Sequence, residues 1–185
     1  MNSPNPLRIC VAFFALLAVS APLGYAAESP AAFSVGEFSF ARPADWTWVE
    51  VNTPMRKAQM AVKQAGKPEQ AEVVFFHFGP GNGGGTQANV DRWLGQFQES
   101  GPNLKSKVSE TTVGGRKVTY VQAEGTYMSG TPGGPKTSQP GSMLLGAIIE
   151  SSAGSVFIRM TGPVELVKTS EPVLKKMVED ALKKK

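Results

Sequence analysis

Export, and the cysteine lost with it, constrain this chain more than any other feature. Arg8 is followed by an uncharged apolar run, Ile9 to Val19, which Pro22 and Gly24 break. Gly24-Tyr25-Ala26 then puts small residues at the positions a signal peptidase reads, the layout of a secretory signal peptide. The run is too short to span a bilayer. Cleavage near Ala26 removes Cys10, the single cysteine, which lies in no lipoprotein box because Leu7-Arg8-Ile9 precedes it. The remaining 185 − 26 = 159 residues have no thiol. That excludes a disulfide, a cysteine metal ligand and a cysteine nucleophile. The core alone must hold the fold, and a chain of this length can build one.

Charge narrows the function classes. The chain carries 19 Lys and Arg against 15 Asp and Glu; without Arg8 the excess is 18 − 15 = +3. Lys183, Lys184 and Lys185 supply all of it, so the body is near neutral and the C-terminal tail is Lys-rich. A nucleic-acid binder would cluster Lys and Arg on one element with interleaved aromatics. No such cluster occurs, so no nucleic-acid partner is expected.

Hydrophobic periodicity predicts an α+β domain over 27–185. Phe33 to Phe40 reads as a strand pair around Gly36, followed by a Pro43-Ala44-Asp45 turn and a strand over Trp46–Val51. Met55–Val62 reads as a strand, and the nearly all-apolar Ala71–Phe78 as a central strand buried on both faces. Val90, Trp93, Leu94 and Phe97 recur at helical spacing, which predicts a helix over Gln87–Glu99 with Asn89, Arg92 and Gln96 on its polar side. Gly114-Gly115 joins strands Leu104–Val113 and Arg116–Met128, and Ala153-Gly154 joins Ser142–Ser151 to Ser155–Thr161. Residues 129–141, without a large apolar anchor, are expected to be a mobile loop. Ser170 is read as the N-cap of a final helix with Pro172 in its first turn and Val173, Leu174, Met177, Val178 and Ala181 buried. The order gives a single-domain, mostly antiparallel sheet flanked by two main helices.

Candidate sites are few. Gly79-Pro80-Gly81-Asn82-Gly83-Gly84 matches G-x-G-x-x-G between a strand and a helix. Pro80 removes one N–H donor, no second βαβ unit follows and no Walker Lys-Ser/Thr pair is present. The glycines are thus either a tight connection or a cradle for some anion. Arg92 could hold a carboxylate bidentately, or could belong to a solvated helix face. His77 is the only histidine and no G-x-S-x-G elbow accompanies it. One histidine and no cysteine exclude the usual zinc and haem ligand sets. Glu124 and Glu150 read as solvent-face charges of strands rather than an acid/base pair.

Pro43-Ala44-Asp45-Trp46, Met55-Arg56-Lys57-Ala58, Phe78-Gly79 with its glycines, and Ala88-Asn89-Val90-Asp91-Arg92-Trp93-Leu94-Gly95-Gln96-Phe97 carry a resemblance. The chain resembles secreted bacterial proteins of unknown function that are similar to the PsbP/DcrB-like α/β/α sandwich superfamily. That resemblance implies the sandwich fold, and implies a binding or accessory module more than an enzyme. The expectation is an exported, non-catalytic domain, periplasmic or secreted, with no cofactor and no metal, contacting another protein or an envelope component. The alternative is a small-ligand or anion binder built from Gly81, Asn82, Gly84, Asn89, Arg92, Gln96 and Arg56.

Overall fold

The computed structural model describes residues 29–130 and 133–183; residues 1–28, which include the expected signal peptide, Thr131, Pro132 and the last two lysines lie outside them. Nine strands and two α-helices follow in the order β1 (Ala32–Val35), β2 (Phe38–Ala41), β3 (Trp46–Trp48), β4 (Arg56–Lys63), β5 (Gln70–His77), α1 (Thr86–Leu94), β6 (Lys105–Val113), β7 (Arg116–Gly130), β8 (Lys136–Ile149), β9 (Val156–Pro163) and α2 (Val164–Lys183). Strands β3 to β9 form one antiparallel sheet in the order β3-β4-β5-β9-β8-β7-β6. β1 and β2 pair as a separate hairpin. The mostly antiparallel α+β sandwich read from the sequence is the observed fold.

Each face of the sheet buries one alternate set of side chains, as the two-residue period of a strand requires. One face carries Ala58, Met60, Val73, Phe75, Leu145, Ile149, Ile158 and Met160, covered by α2 and by Val35, Phe38 and Phe40 of the β1–β2 hairpin. The other carries Val121, Leu144, Ile148 and Phe157, covered by Val90 and Trp93 of α1. Trp93 lies directly on Gly146, where a Cβ would overlap its ring. The absent side chain is what lets so short a helix seat on the sheet. At the β6–β7 turn, Gly114 and Gly115 have φ of 56° and 76°, the left-handed pair a two-residue hairpin needs.

Several expectations are corrected. Helix α1 ends at Leu94, not Glu99. Beyond it Gln98 donates to the Thr126 carbonyl at 2.9 Å and Met128 donates to the Gln96 carbonyl at 2.7 Å, so backbone pairing with β7 takes over. Helix α2 starts at Val164, six residues before Ser170, which is buried mid-helix. Pro172 sits inside it, and Val173 is exposed rather than in the stripe. Proline costs the bond to the Lys168 carbonyl, but Lys168 is exposed, so water can take that bond. The segment 129–141 is mostly ladder: Ser129 pairs with Thr137 and Gly130 with Lys136. Backbone hydrogen bonds require no apolar side chain, so composition alone misread it. β3 is also shorter than Trp46–Val51.

Candidate functional site

Helix α1 covers only the β7–β8–β9 half of its face. The other half, over β4, β5 and β9, is bordered by the far end of the β7–β8 hairpin and forms a cleft of about 940 Å³. That size falls within the ~300–1,000 Å³ of small-molecule sites.

Strands β4, β5, β7, β8 and β9 and the segment after α1 deliver its side chains. A register shift between Arg56 and Ala58 in β4 goes with Arg56 meeting Gln59 and Glu72. Arg56 Nη1 donates to Glu72 Oε1 at 2.7 Å and to Gln59 Oε1 at 2.7 Å, and Gln59 Nε2 donates to the same Glu72 oxygen at 2.9 Å. The Arg56 charge is therefore neutralised within the protein. Early termination of α1 turns Gln96 off the helix and into the cleft, where its Oε1 accepts from Tyr127 Oη at 3.2 Å and from Arg159 Nη1 at 3.3 Å. Burial pushes the Tyr127 hydroxyl pKa up, so it stays a proton donor. The register of β7 shifts between Gly125 and Tyr127, and there Glu99 accepts the Thr126 N–H at 2.8 Å. That backbone hydrogen bond lowers the Glu99 pKa and holds the irregularity that positions Tyr127.

Arg159 differs from every other cation nearby. It projects from β9 opposite Val74 and Gly146, between apolar neighbours. Its guanidinium carbon lies 5.9 Å from the Phe76 ring centroid. Its Nε is buried with no hydrogen-bond partner. Among the described residues no carboxylate reaches it within ion-pair distance. A guanidinium has five N–H donors, and here a single long bond to Gln96 is made.

The sequence candidates do not converge. Arg56 and Gln96 reach this cleft. Gly84 lines a separate, shallower depression of about 490 Å³ with Thr86, Arg116, Lys117, Glu150 and Ser151. The cations there are taken: Arg116 pairs with Glu37 at 3.1 Å and Lys117 with Glu110 at 2.8 Å. Gly81 and Asn82 are exposed, and Asn82 serves its own turn by donating to the Pro80 carbonyl at 3.1 Å. Asn89 is buried rather than on a polar face. Its Nδ2 donates to the carbonyls of Gly83 at 2.9 Å and Gly85 at 3.0 Å, tying the glycine loop to α1. Arg92 is exposed, bonds Asn89 Oδ1 and lines neither depression. The glycine run is thus fastened by a structural asparagine. His77 Nε2 lies 3.2 Å from the Ala153 carbonyl, while the nearby Ser151 hydroxyl bonds Glu37 directly. No cluster of three or more potential metal ligands occurs among the described residues. None of the described helices is long and apolar enough to cross a membrane.

Comparison with known proteins finds no matching family model and no matching curated protein. Solved structures do match. PA94, a protein of unknown function from Pseudomonas aeruginosa, is 16% identical at a TM-score of 0.45, covering 80% of this chain and 92% of that one. LpqN, involved in cell envelope biogenesis of Mycobacterium tuberculosis, is 12% identical at 0.46, covering 77% and 80%. A cyanobacterial PsbP from Synechocystis is 10% identical at 0.47, covering 85% and 96%.

Arg159, Tyr127 and Glu72 were missed as site residues in the sequence. Arg159 carried a signal: it is the one charge inside Val156-Phe157-Ile158-Arg159-Met160, where a strand is otherwise apolar. Nothing in the sequence separates Tyr127 from an ordinary strand tyrosine.

Proposed function

We propose that this protein is an exported binding module whose ligand or partner sits in the cleft between Arg56 and Arg159. One observation carries the reading: a half-buried guanidinium without a counter-ion faces an open cleft, on the half of the sheet that α1 leaves bare. An unpaired buried charge costs stability, and a site that retains one gains when a ligand neutralises it. The leader pattern at residues 1–26 supports export. Among the described residues no acid/base pair or activated nucleophile lies in the cleft: Glu72 is neutralised by Arg56, and Ser129 donates to the Thr137 carbonyl. Binding therefore accounts for the geometry better than catalysis does.

Site-specific photo-crosslinking in cells expressing the full chain tests this. A benzophenone side chain is placed at Gln139, on the cleft, or at Lys176, exposed on α2. Adducts in the envelope fraction from position 139 and not from 176 are expected. Adducts from 176 alone would reject the cleft as the binding face.

A further inference from the structure

We propose that Arg159 and Gln96, the latter held in place by Tyr127, recognise a carboxylate, carried by a small organic acid or by the free C-terminus of a peptide. This rests on the cleft being the binding face and adds the chemical class of what it holds.

Charge in the cleft selects the class. Four ionisable side chains of fixed sign line it: Arg56, Arg159, Glu69 and Glu72. Arg56 and Glu72 cancel each other at 2.7 Å. Glu69 stands exposed on the loop before β5. Of the two charges left, Arg159 is the half-buried one and the positive one, so it is the group that meets an anion, while Glu69 stays in solvent at the rim. That matches a monoanionic group. A phosphate dianion would carry a second charge with nothing to meet it, into a cleft that already holds two carboxylates. Geometry agrees. The guanidinium fork pairs best with a planar carboxylate through parallel N–H···O bonds. The Arg159 Nε is sealed off, and Nη1 spends one hydrogen on Gln96, so the approach is end-on at the two Nη atoms. Gln96 offers a further donor, because both its contacts fall on Oε1 and its Nε2 has no partner among the described residues. The guanidinium carbon lies 5.9 Å from the Phe76 ring centroid, a cation–π contact that leaves the guanidinium's hydrogen-bonding capacity unspent. Uncharged polar groups at the rim, Gln70, Ser129, Gln139 and Thr161, suit a ligand that is polar beyond its carboxylate.

Isothermal titration of the purified protein tests the assignment with four probes: lactate, acetyl-Ala-Ala, the C-terminal amide of that peptide, and inorganic phosphate. Fragments of this size are expected to bind with dissociation constants on the order of millimolar. Acetyl-Ala-Ala or lactate, both monoanions, should bind, and the amide should not. Tighter binding of the peptide identifies a C-terminus as the source; tighter binding of lactate identifies a free acid. Arg159→Gln should weaken the carboxylate at least tenfold, and Arg92→Gln should leave it unchanged. Gln96→Glu supplies an internal carboxylate to Arg159 with almost no change of shape. It should abolish binding even if Arg159→Gln fails to fold. Phosphate binding without carboxylate binding, no carboxylate binding, or carboxylate binding unaltered by Gln96→Glu would overturn the proposal. If carboxylates fail while crosslinks still map to position 139, the ligand class falls and the binding face stands. If crosslinks map elsewhere, both fall.

Discussion

Replacing Gln96 with Glu should stabilise the free protein, an unusual outcome for a change at a partly buried hydrogen-bond acceptor. In the native chain Gln96 Oε1 stands 3.3 Å from Arg159 Nη1 and accepts from Tyr127 at 3.2 Å. A carboxylate of the same length keeps both bonds and makes them charge-assisted. Two unit charges at that separation attract by roughly 5 kcal/mol at an effective dielectric of about 20. Desolvation of the new charge and of the half-buried guanidinium removes most of this, and ordering the side chain costs little because Gln96 is already fixed. Exposed pairs give ~0.2–1 kcal/mol and hydrogen bonds to charged groups ~1.5–3, so a net gain of about 1–2 kcal/mol follows. For a domain of this size that raises the melting temperature by roughly 2–8 °C. The sign with pH is fixed. The introduced carboxyl has a folded pKa below its unfolded value of about 4.3, so the gain is complete above that value. It vanishes as pH falls through the folded pKa. Differential scanning calorimetry at pH 7 and at pH 3 reads this directly. A variant melting at or below wild type at pH 7, with a difference that does not change at pH 3, would refute the claim that Arg159 lacks a counter-ion.

Other perturbations follow from the same packing. Gly146→Ala forces a methyl into the Trp93 ring, so α1 must lift off the sheet; urea unfolding should show a loss of about 1–3 kcal/mol. Asn89→Ala removes both bonds that hold the glycine loop and leaves two carbonyls to find water. A loss of about 1–2 kcal/mol is expected, with faster amide exchange confined to residues 83–90. The Tyr120 hydroxyl is buried without a partner and its pKa is pushed up to about 12 by burial. The unfolded chain ionises from about pH 10 while the folded one does not, so stability falls as pH rises above 10. Tyr120→Phe should match or exceed wild-type stability at pH 7 and flatten that alkaline decline in a urea titration.

The strands and the α1 stripe were legible because burial imposes a period on them. Val90 and Trp93 recur at helical spacing and both are buried; Val73 and Phe75 alternate in a strand buried on both faces. The errors arose where tertiary context overrode local preference. Gln96 and Phe97 continue a helical pattern, yet pairing with β7 outcompetes another helical turn, and Phe97 packs against Tyr127 with ring centroids 5.5 Å apart. Pro172 resembles a helix start because proline fits a first turn, but α2 begins at Val164 where Leu166 and Val167 already have a core to bury in. The site was half legible for the same reason. Gln96 was found on a supposed helix face that does not exist, and Arg56, Asn89 and Arg92 were drawn toward a glycine loop that Asn89 itself closes. What makes Arg159 notable is the partner it lacks, and a missing counter-ion across three strands leaves no trace in the local sequence.

The central claim is that carboxylates bind at Arg159, and nitrogen-15 NMR of the arginine Nε–H groups during a titration with acetyl-Ala-Ala tests it most directly. The account expects the Arg159 resonance, unbonded in the free protein, to shift with saturation while Arg56, held by Glu72, moves little. Saturable shifts at Arg92 or in the glycine loop, with Arg159 unmoved, would contradict it.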